Sequence, residues 1–263
     1  MKTRYIMAVL LLVVAGLQTT KAQKMRFHYS GQDTPVEYSF AGLDSMVFVD
    51  APAAEPEYVD LGLPSGTLWA TFNVGASRPE DYGDYFAWGE TVQKEQYYWD
   101  TYEYSSHNTA PHYILKYNTV SSYEELIDNM TVLEAGDDAA TANCGEDWRI
   151  PSDVEFSELL DARYTNVTNE TRNGIYGIVV TSTKNGNSIF LPAAGYYYHD
   201  DLKDVGSSGG YWTNKLSTGS TRSLIDNSDG SDKAIIAVIK DGGISIDVET
   251  RFQGFSIRPV QRQ

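Results

Sequence analysis

Two aromatic runs carry side chains suited to holding another molecule. The first is Gln96-Tyr97-Tyr98-Trp99-Asp100-Thr101-Tyr102-Glu103-Tyr104, continued by Tyr113 and Tyr117. The second is Gly195-Tyr196-Tyr197-Tyr198-His199-Asp200-Asp201-Leu202, followed by the stretch from Gly206 to Thr213. Tyr and Trp join a flat apolar face to a polar handle, which suits stacking on a sugar ring or a protein surface. Tyr97 and Tyr98 are candidate contacts on this ground; core packing is the stronger reading for Trp99. In an extended backbone successive side chains alternate between faces. Three consecutive tyrosines therefore cannot share one core, and either Tyr197 or the pair Tyr196 and Tyr198 is expected to point outward.

Other chemistries are less well served. Asp226-Asn-Ser-Asp-Gly-Ser-Asp232 spaces carboxylates around a glycine, as oxygen ligands for calcium require, but not at EF-hand spacing. A solvated acidic turn is the simpler reading. The histidines, His28, His107, His112 and His199, are scattered apart from the middle two, a poor pattern for a transition metal. No nucleophile elbow, phosphate-binding glycine loop or zincin motif is present. Acid pairs such as Glu124-Glu125 and Asp200-Asp201 offer carboxylates for glycoside hydrolysis, yet that reaction needs two of them at a set separation across a cleft. No catalytic residue, metal or cofactor is expected.

The stretch Cys144-Gly-Glu-Asp-Trp-Arg-Ile-Pro-Ser-Asp-Val-Glu-Phe-Ser-Glu-Leu-Leu160 contains the chain's single cysteine. A lone thiol makes no internal disulfide. Ser152 and Glu155 form a capping-box pattern, with Phe156, Leu159 and Leu160 on one helical face behind it. Trp148 is expected to pack near the helix start and Arg149 to pair with a neighbouring acid. The stretch reads as a structural brace.

These residues sit in a chain of 263 residues with a formal charge of −16. Lys2 and Arg4, an apolar run from Ile6 to Leu17, and Thr20-Lys21-Ala22 have the layout of a secretory signal over residues 1–22. It is too short for a membrane span, and no later segment is apolar enough to be one. Export to the periplasm, cell surface or medium is expected. Loss of Lys2, Arg4 and Lys21 with the signal takes the charge to −19. A surface this acidic repels phosphate backbones, so nucleic acid is not an expected partner. Residues 24–50 contain β-like runs at Met25–Tyr29, Val36–Phe40 and Ser45–Val49, and residues 51–57 read as an extended linker. In the body, residues 58–263, Ile175–Ser182 and Ser188–Leu191 flank Lys184-Asn-Gly-Asn187 as a hairpin. Ala234–Ile239 and Ile244–Val248 flank Asp241-Gly-Gly243 in the same way. Phe255–Val260 reads as a last strand. Asp137 is placed to cap a short Ala-rich helix ending near Gly145, and Ser122 with Glu125 suggests a third helix. Few helices ahead of antiparallel strands imply an α+β domain.

Several blocks run in order through nearly all of residues 58–260: Tyr58-Val-Asp-Leu-Gly-Leu-Pro-Ser-Gly-Thr-Leu-Trp-Ala-Thr-Phe-Asn-Val-Gly-Ala76, Tyr82-Gly-Asp-Tyr-Phe-Ala-Trp-Gly-Glu90, Asp137-Asp-Ala-Ala140, Trp148-Arg-Ile-Pro-Ser152, Asn187-Ser-Ile-Phe-Leu-Pro-Ala-Ala-Gly195, Tyr211-Trp212 and Gly254-Phe-Ser-Ile-Arg-Pro-Val260. Together they resemble one family, the Fibrobacter succinogenes major paralogous domain. Leu43–Phe48 also resembles an element found ahead of such domains. The family is common in secreted and surface proteins of gut Bacteroidota. The resemblance implies a C-type-lectin-like fold: a twisted antiparallel sheet, two or three short helices, and adjacent first and last strands, which would pair Tyr58–Leu61 with Phe255–Val260. Cys144 departs from the pattern, which more often has an aromatic residue there. The block Trp148–Phe156 is similar to one in formylglycine-generating enzymes, but these use a pair of cysteines and this chain has one. In lectin-like folds the region after Gly195 contributes to the ligand face. The resemblance therefore adds Tyr198, His199, Asp200, Trp212 and Asn214 to the candidate contacts, with core packing the rival reading for Trp212. The Glu-Pro-Asn and Trp-Asn-Asp motifs of calcium-dependent sugar-binding lectins are missing.

The resulting expectation is a secreted or surface-exposed, non-catalytic binding module for a glycan or protein ligand. A glycan-active hydrolase and a structural subunit of a surface assembly are the alternatives. Facing buried carboxylates would favour the hydrolase, a shallow aromatic patch the binding module, and an exposed strand edge the assembly subunit.

Overall fold

The computed structural model describes residues 24–27, 36–39, 56–106, 114–119, 127–218 and 231–261. The chain divides into two compact units, Met1–Ala51 and Pro52–Gln263. In the first, β1 (Lys24–Phe27) pairs antiparallel with β2 (Val36–Ser39). The proposed signal, the run Ser45–Val49, the helix at Ser122–Glu125, His28, His107, His112 and residues 226–230 of the acidic turn lie outside the described residues.

Among its described residues the second unit is built mainly of antiparallel strands with two short α-helices. In chain order these are β3 (Tyr58–Asp60), β4 (Leu68–Ala70), α1 (Ala139–Cys144), α2 (Asp153–Leu159), β5 (Thr165–Arg172), β6 (Ile175–Ser182), β7 (Ser188–Pro192), β8 (Tyr196–Tyr198), β9 (Asp201–Lys203), β10 (Gly209–Leu216), β11 (Lys233–Lys240), β12 (Gly243–Thr250) and β13 (Val260–Gln261). They form sheets ordered β13-β4-β3, β5-β6-β7, β8-β9 and β10-β11-β12. Among the described residues no helix is long and apolar enough to cross a membrane.

The two expected hairpins form as β6-β7 and β11-β12. The second closes through Asp241 and Gly242, both at positive φ, the geometry that matches strand twist across a two-residue loop. The strand β5 was not anticipated. Val167 is its only large apolar residue, and most of its side chains are exposed, so alternation was weak. Its turn, Asn173-Gly174, carries the same pair of positive φ angles and was the available signal.

The expected pairing of Tyr58–Leu61 with Phe255–Val260 does not occur. β4 lies between them, bonded to β3 on one edge and β13 on the other. All three residues of β4 are buried, as a central strand requires, whereas β3 is mostly exposed and forms the edge. The last segment is also not a continuous strand. Phe255 and Ser256 make isolated bridges, and Pro259 has no N–H to give, although its carbonyl accepts from Ala70 N at 2.9 Å.

The brace is present. Ser152 Oγ accepts from Glu155 N, and Glu155 Oε2 accepts from Ser152 N, so two orphan donors of α2 are satisfied reciprocally. Arg149 grips Glu155 with both terminal nitrogens, at 2.8 and 2.5 Å, and Thr67 Oγ1 donates to Glu155 Oε1 at 2.7 Å. Arg149 also exchanges two backbone bonds with Val260. One carboxylate thus ties α2 to the approach to β4 and, through Arg149, to the chain's last strand. Trp148 is buried beside it. The cap of α1 falls one residue later than expected. Asp138 accepts from Thr141 N, while Asp137 is taken by Lys116 and the Tyr117 hydroxyl.

Two apolar clusters fill the unit. One gathers Trp69, Phe156, Leu159, Ile178, Leu191 and Tyr211, and the other gathers Trp88, Tyr97, Tyr102, Tyr117, Trp212 and Phe255. Among the described residues two arginines lie fully inside. Arg251 donates to Tyr102 Oη and to the carbonyls of Lys116, Tyr117 and Ser231, with the ring of Trp88 4.8 Å away. Arg258 donates to Asn73 Oδ1 and the carbonyls of Ala70, Thr71 and Phe190, and burial lowers its pKa to about 10.

Candidate functional site

The β8-β9 hairpin is the frame of the site. Gly195, at φ +70°, turns the chain into it, and a Cβ there would stand 2.1 Å from the Lys203 carbonyl oxygen. Glycine is therefore required both for the dihedral and for the close approach. Tyr196 stacks on Phe255 at 5.3 Å. Tyr197 stacks on Tyr97 at 5.1 Å and meets the edge of Tyr85. Its backbone exchanges two bonds with Gly254. Tyr198 is left 38% exposed. The tyrosine triplet thus sends Tyr196 and Tyr197 against the core and Tyr198 outward, a different division from simple alternation. Strand β8 is only three residues long and is packed on more than one side.

At the tip, His199 and Asp200 make a two-residue turn between paired Tyr198 and Asp201. His199 has φ +61°, in the left-handed region that costs a non-glycine residue energy. Two bonds hold it there, His199 N to Tyr97 O and Tyr97 N to His199 O, each 3.1 Å. These bonds also dock the first aromatic run against the hairpin. Tyr98 lies flat on the imidazole, with centroids 4.2 Å apart and planes 5° apart. Tyr198 contacts the same imidazole at 4.1 Å. Tyr98 Oη donates to Asp200 Oδ2 at 2.6 Å, and that bond raises the phenol's pKa. Phe252, buried, supports His199 and Tyr198 at 6.0 and 5.9 Å and is itself met by Trp99 at 5.0 Å. The two runs singled out in the sequence thus build one aromatic platform, with Tyr198 exposed, Tyr98 and His199 half-buried, and the exposed Asp200 carboxylate at its margin.

The structure places the other candidates elsewhere. Tyr97 is fully buried, its hydroxyl bonded to Tyr85 O at 2.6 Å. Trp212 is fully buried, its Nε1 bonded to Phe86 O and its ring against Phe255. Neither reaches a ligand at the surface; Tyr97 clamps His199 through its backbone, and Trp212 packs against Phe255. For Trp212 packing wins, because its strand, β10, is the inner edge of its sheet and is covered by the C-terminal segment. Asn214 lines a separate polar cavity of about 710 Å³ with Ser65, Thr67, Arg149, Ser152 and Glu155. Sequence reasoning missed Phe252. It stands two residues before the quoted C-terminal block, with no periodic pattern to mark it.

Acid chemistry at the platform is limited by local pairing. Asp201 pairs with Lys203 at 3.1 Å, and Asp200 holds Tyr98. The buried carboxylates are committed too: Glu90 to Lys94, Asp138 to the α1 cap and Ile150 N, Glu155 to Arg149. Among the described residues no group of His, Cys, Asp and Glu is placed to hold a metal ion. Cys144 ends α1 and lines a second cavity with Glu57, Tyr58 and Trp148. No protein-family profile, curated protein or solved structure matches the chain.

Proposed function

We propose that this chain is an exported, non-catalytic binding module, lectin-like in fold, that presents Tyr98, Tyr198, His199 and Asp200 to a glycan or protein ligand. The observation that carries the reading is the platform itself. Tyr198 is exposed beside the Asp200 carboxylate, Tyr98 and His199 are half-buried and stacked on each other, and buried Phe252 lies against Tyr198 and His199. Surface aromatics on a rigid base are a favourable arrangement for recognition, because little side-chain freedom is lost on binding. The test is a glycan and surface-protein array, with and without calcium, followed by Tyr198→Ala. Affinity should fall at least about tenfold while thermal stability stays near that of the parent, since Tyr198 makes few buried contacts. A ligand whose binding ignores Tyr198→Ala and Tyr98→Ala would remove the platform from the reading.

A second reading, a subunit of a surface assembly, is favoured by β12. It is an eight-residue strand at the end of its sheet, with Ile246 and Val248 nearly two-fifths exposed. Such an edge can take up another strand. Sedimentation over a wide concentration range tests it, and a strictly monomeric chain with no recruited partner argues against it.

A further inference from the structure

We infer that the group recognised on this platform is a primary ammonium carried on a flat ring, so that the ligand class is an amino sugar. The inference rests on the platform being the binding site, as proposed above.

Three features lead there. The first is the ring of Tyr98, which is half-buried. One side of Tyr98 is covered by His199, and no other ring partner contacts it among the described residues. A flat face of this kind stacks well on the C–H face of a pyranose, and its negative quadrupole favours a cation nearby. The second is an acceptor with capacity to spare. Asp200 is exposed and uses Oδ2 for the Tyr98 hydroxyl, while Oδ1 has no partner among the described residues. An ionised carboxylate only accepts, so its complement is a donor-rich group, and a charged donor makes the stronger bond. The Tyr98 hydroxyl donates to Asp200 at 2.6 Å, so the ring and the acceptor are held together.

The third feature is the local charge. Lys94 and Lys203 are the lysines that flank the two segments that build the platform; the segments themselves hold no Lys or Arg, and His199 is their one basic side chain. Both are taken, Lys94 by Glu90 at 2.7 Å and Lys203 by Asp201 at 3.1 Å. Asp200 therefore has no Lys or Arg partner among the described residues, within a chain of net charge −16. Uronic acids, sulfated sugars and phosphate groups are repelled by such a surface, whereas a cation is attracted. A lysine side chain would bring the same ammonium. It is a flexible stem, however, that loses rotamer entropy when fixed, and it covers less of a ring face than a preorganised sugar does.

The experiment titrates the full chain with glucosamine oligomers, N-acetylglucosamine oligomers of equal length, neutral glucose oligomers and lysine oligopeptides. Buffers are mildly acidic, and salt is varied. The expected result is at least a tenfold preference for the glucosamine oligomer over its acetylated form. Added salt should weaken that preference, and Asp200→Asn should abolish it at unchanged melting temperature. Tyr98→Phe should keep part of the affinity, since the ring remains, while Tyr98→Ala should lose it. Equal or tighter binding of the acetylated or neutral oligomers overturns the ammonium. If Tyr98→Ala still weakens that binding, the platform itself stands. A preference unaffected by Asp200→Asn also overturns the inference, because it then arises from the general acidity of the surface. Lysine oligopeptides binding as tightly as glucosamine overturn the sugar. Binding to none of the oligomers overturns the inference as well, and the array with Tyr198→Ala then decides separately whether the platform binds anything.

Discussion

Glu155 shows how much one side chain can organise. Burial pushes its carboxyl up, but the Arg149 guanidinium, the Ser152 backbone N–H and the Thr67 hydroxyl together outweigh that and hold it down, at about 2. The ordinary value is 4.5. A carboxylate depressed on folding contributes stability that is present above its unfolded pKa and lost as pH falls through the folded one. The window is thus from about 4.5 down to about 2, and the stake is on the order of 3 kcal/mol. Denaturant unfolding across that window should show the parent losing this increment and Glu155→Gln lacking it. Parallel pH profiles for the two proteins would contradict the assignment. At this scale the sequence was partly legible. The Ser152–Glu155 spacing announced the cap, and Arg149 stood among acids. The platform residues Tyr98, Tyr198, His199 and Asp200 were visible as types. Tyr97 and Trp212 were not separable from them, because a run of aromatics does not say which ring faces inward until its supporting partners are known.

Among the elements, the β8-β9 hairpin is the one whose geometry decides the site. Its position depends on Gly195, whose dihedral and contact with the Lys203 carbonyl leave no room for a side chain. Gly195→Ala should cost at least about 2–3 kcal/mol and shift the tip that carries His199 and Asp200. Chemical denaturation gives the cost, and an alanine variant as stable as the parent would show that the hairpin accommodates a Cβ. Elements with strong turn chemistry were readable beforehand: Lys184-Asn-Gly-Asn187 and Asp241-Gly242 announced β6-β7 and β11-β12. The polar strand β5 was not, since its burial comes from one residue and from pairing rather than from a periodic face. The misplacement of the last segment has a similar origin. Phe255–Val260 is apolar enough for a strand, but Pro259 and the double burial of β4 decide who pairs with whom, and those are facts of the sheet rather than of the segment.

Across the whole molecule, the chain divides between Ala51 and Pro52. The mostly antiparallel, helix-poor build of the second unit follows the pattern of its hairpin turns. The interior was harder to foresee, because nothing in a sequence marks an arginine as internal. Arg251 and Arg258 sit within the final fifteen residues, and every oxygen they grip is a carbonyl, an amide or a phenol. None of these groups takes up a proton as a solution turns acid. The brace at α2 does depend on a carboxylate that takes one up. Acid should therefore dismantle this protein in order, freeing α2 first and leaving the C-terminal segment fastened to residues 70–73, 116–117 and 190. Hydrogen exchange near pH 2 would display the sequence of events, with the amides of α2 exposed while those around Arg251 and Arg258 stay protected; simultaneous exchange of both would refute it. The two guanidiniums act, in that sense, as a fastening that acid does not undo.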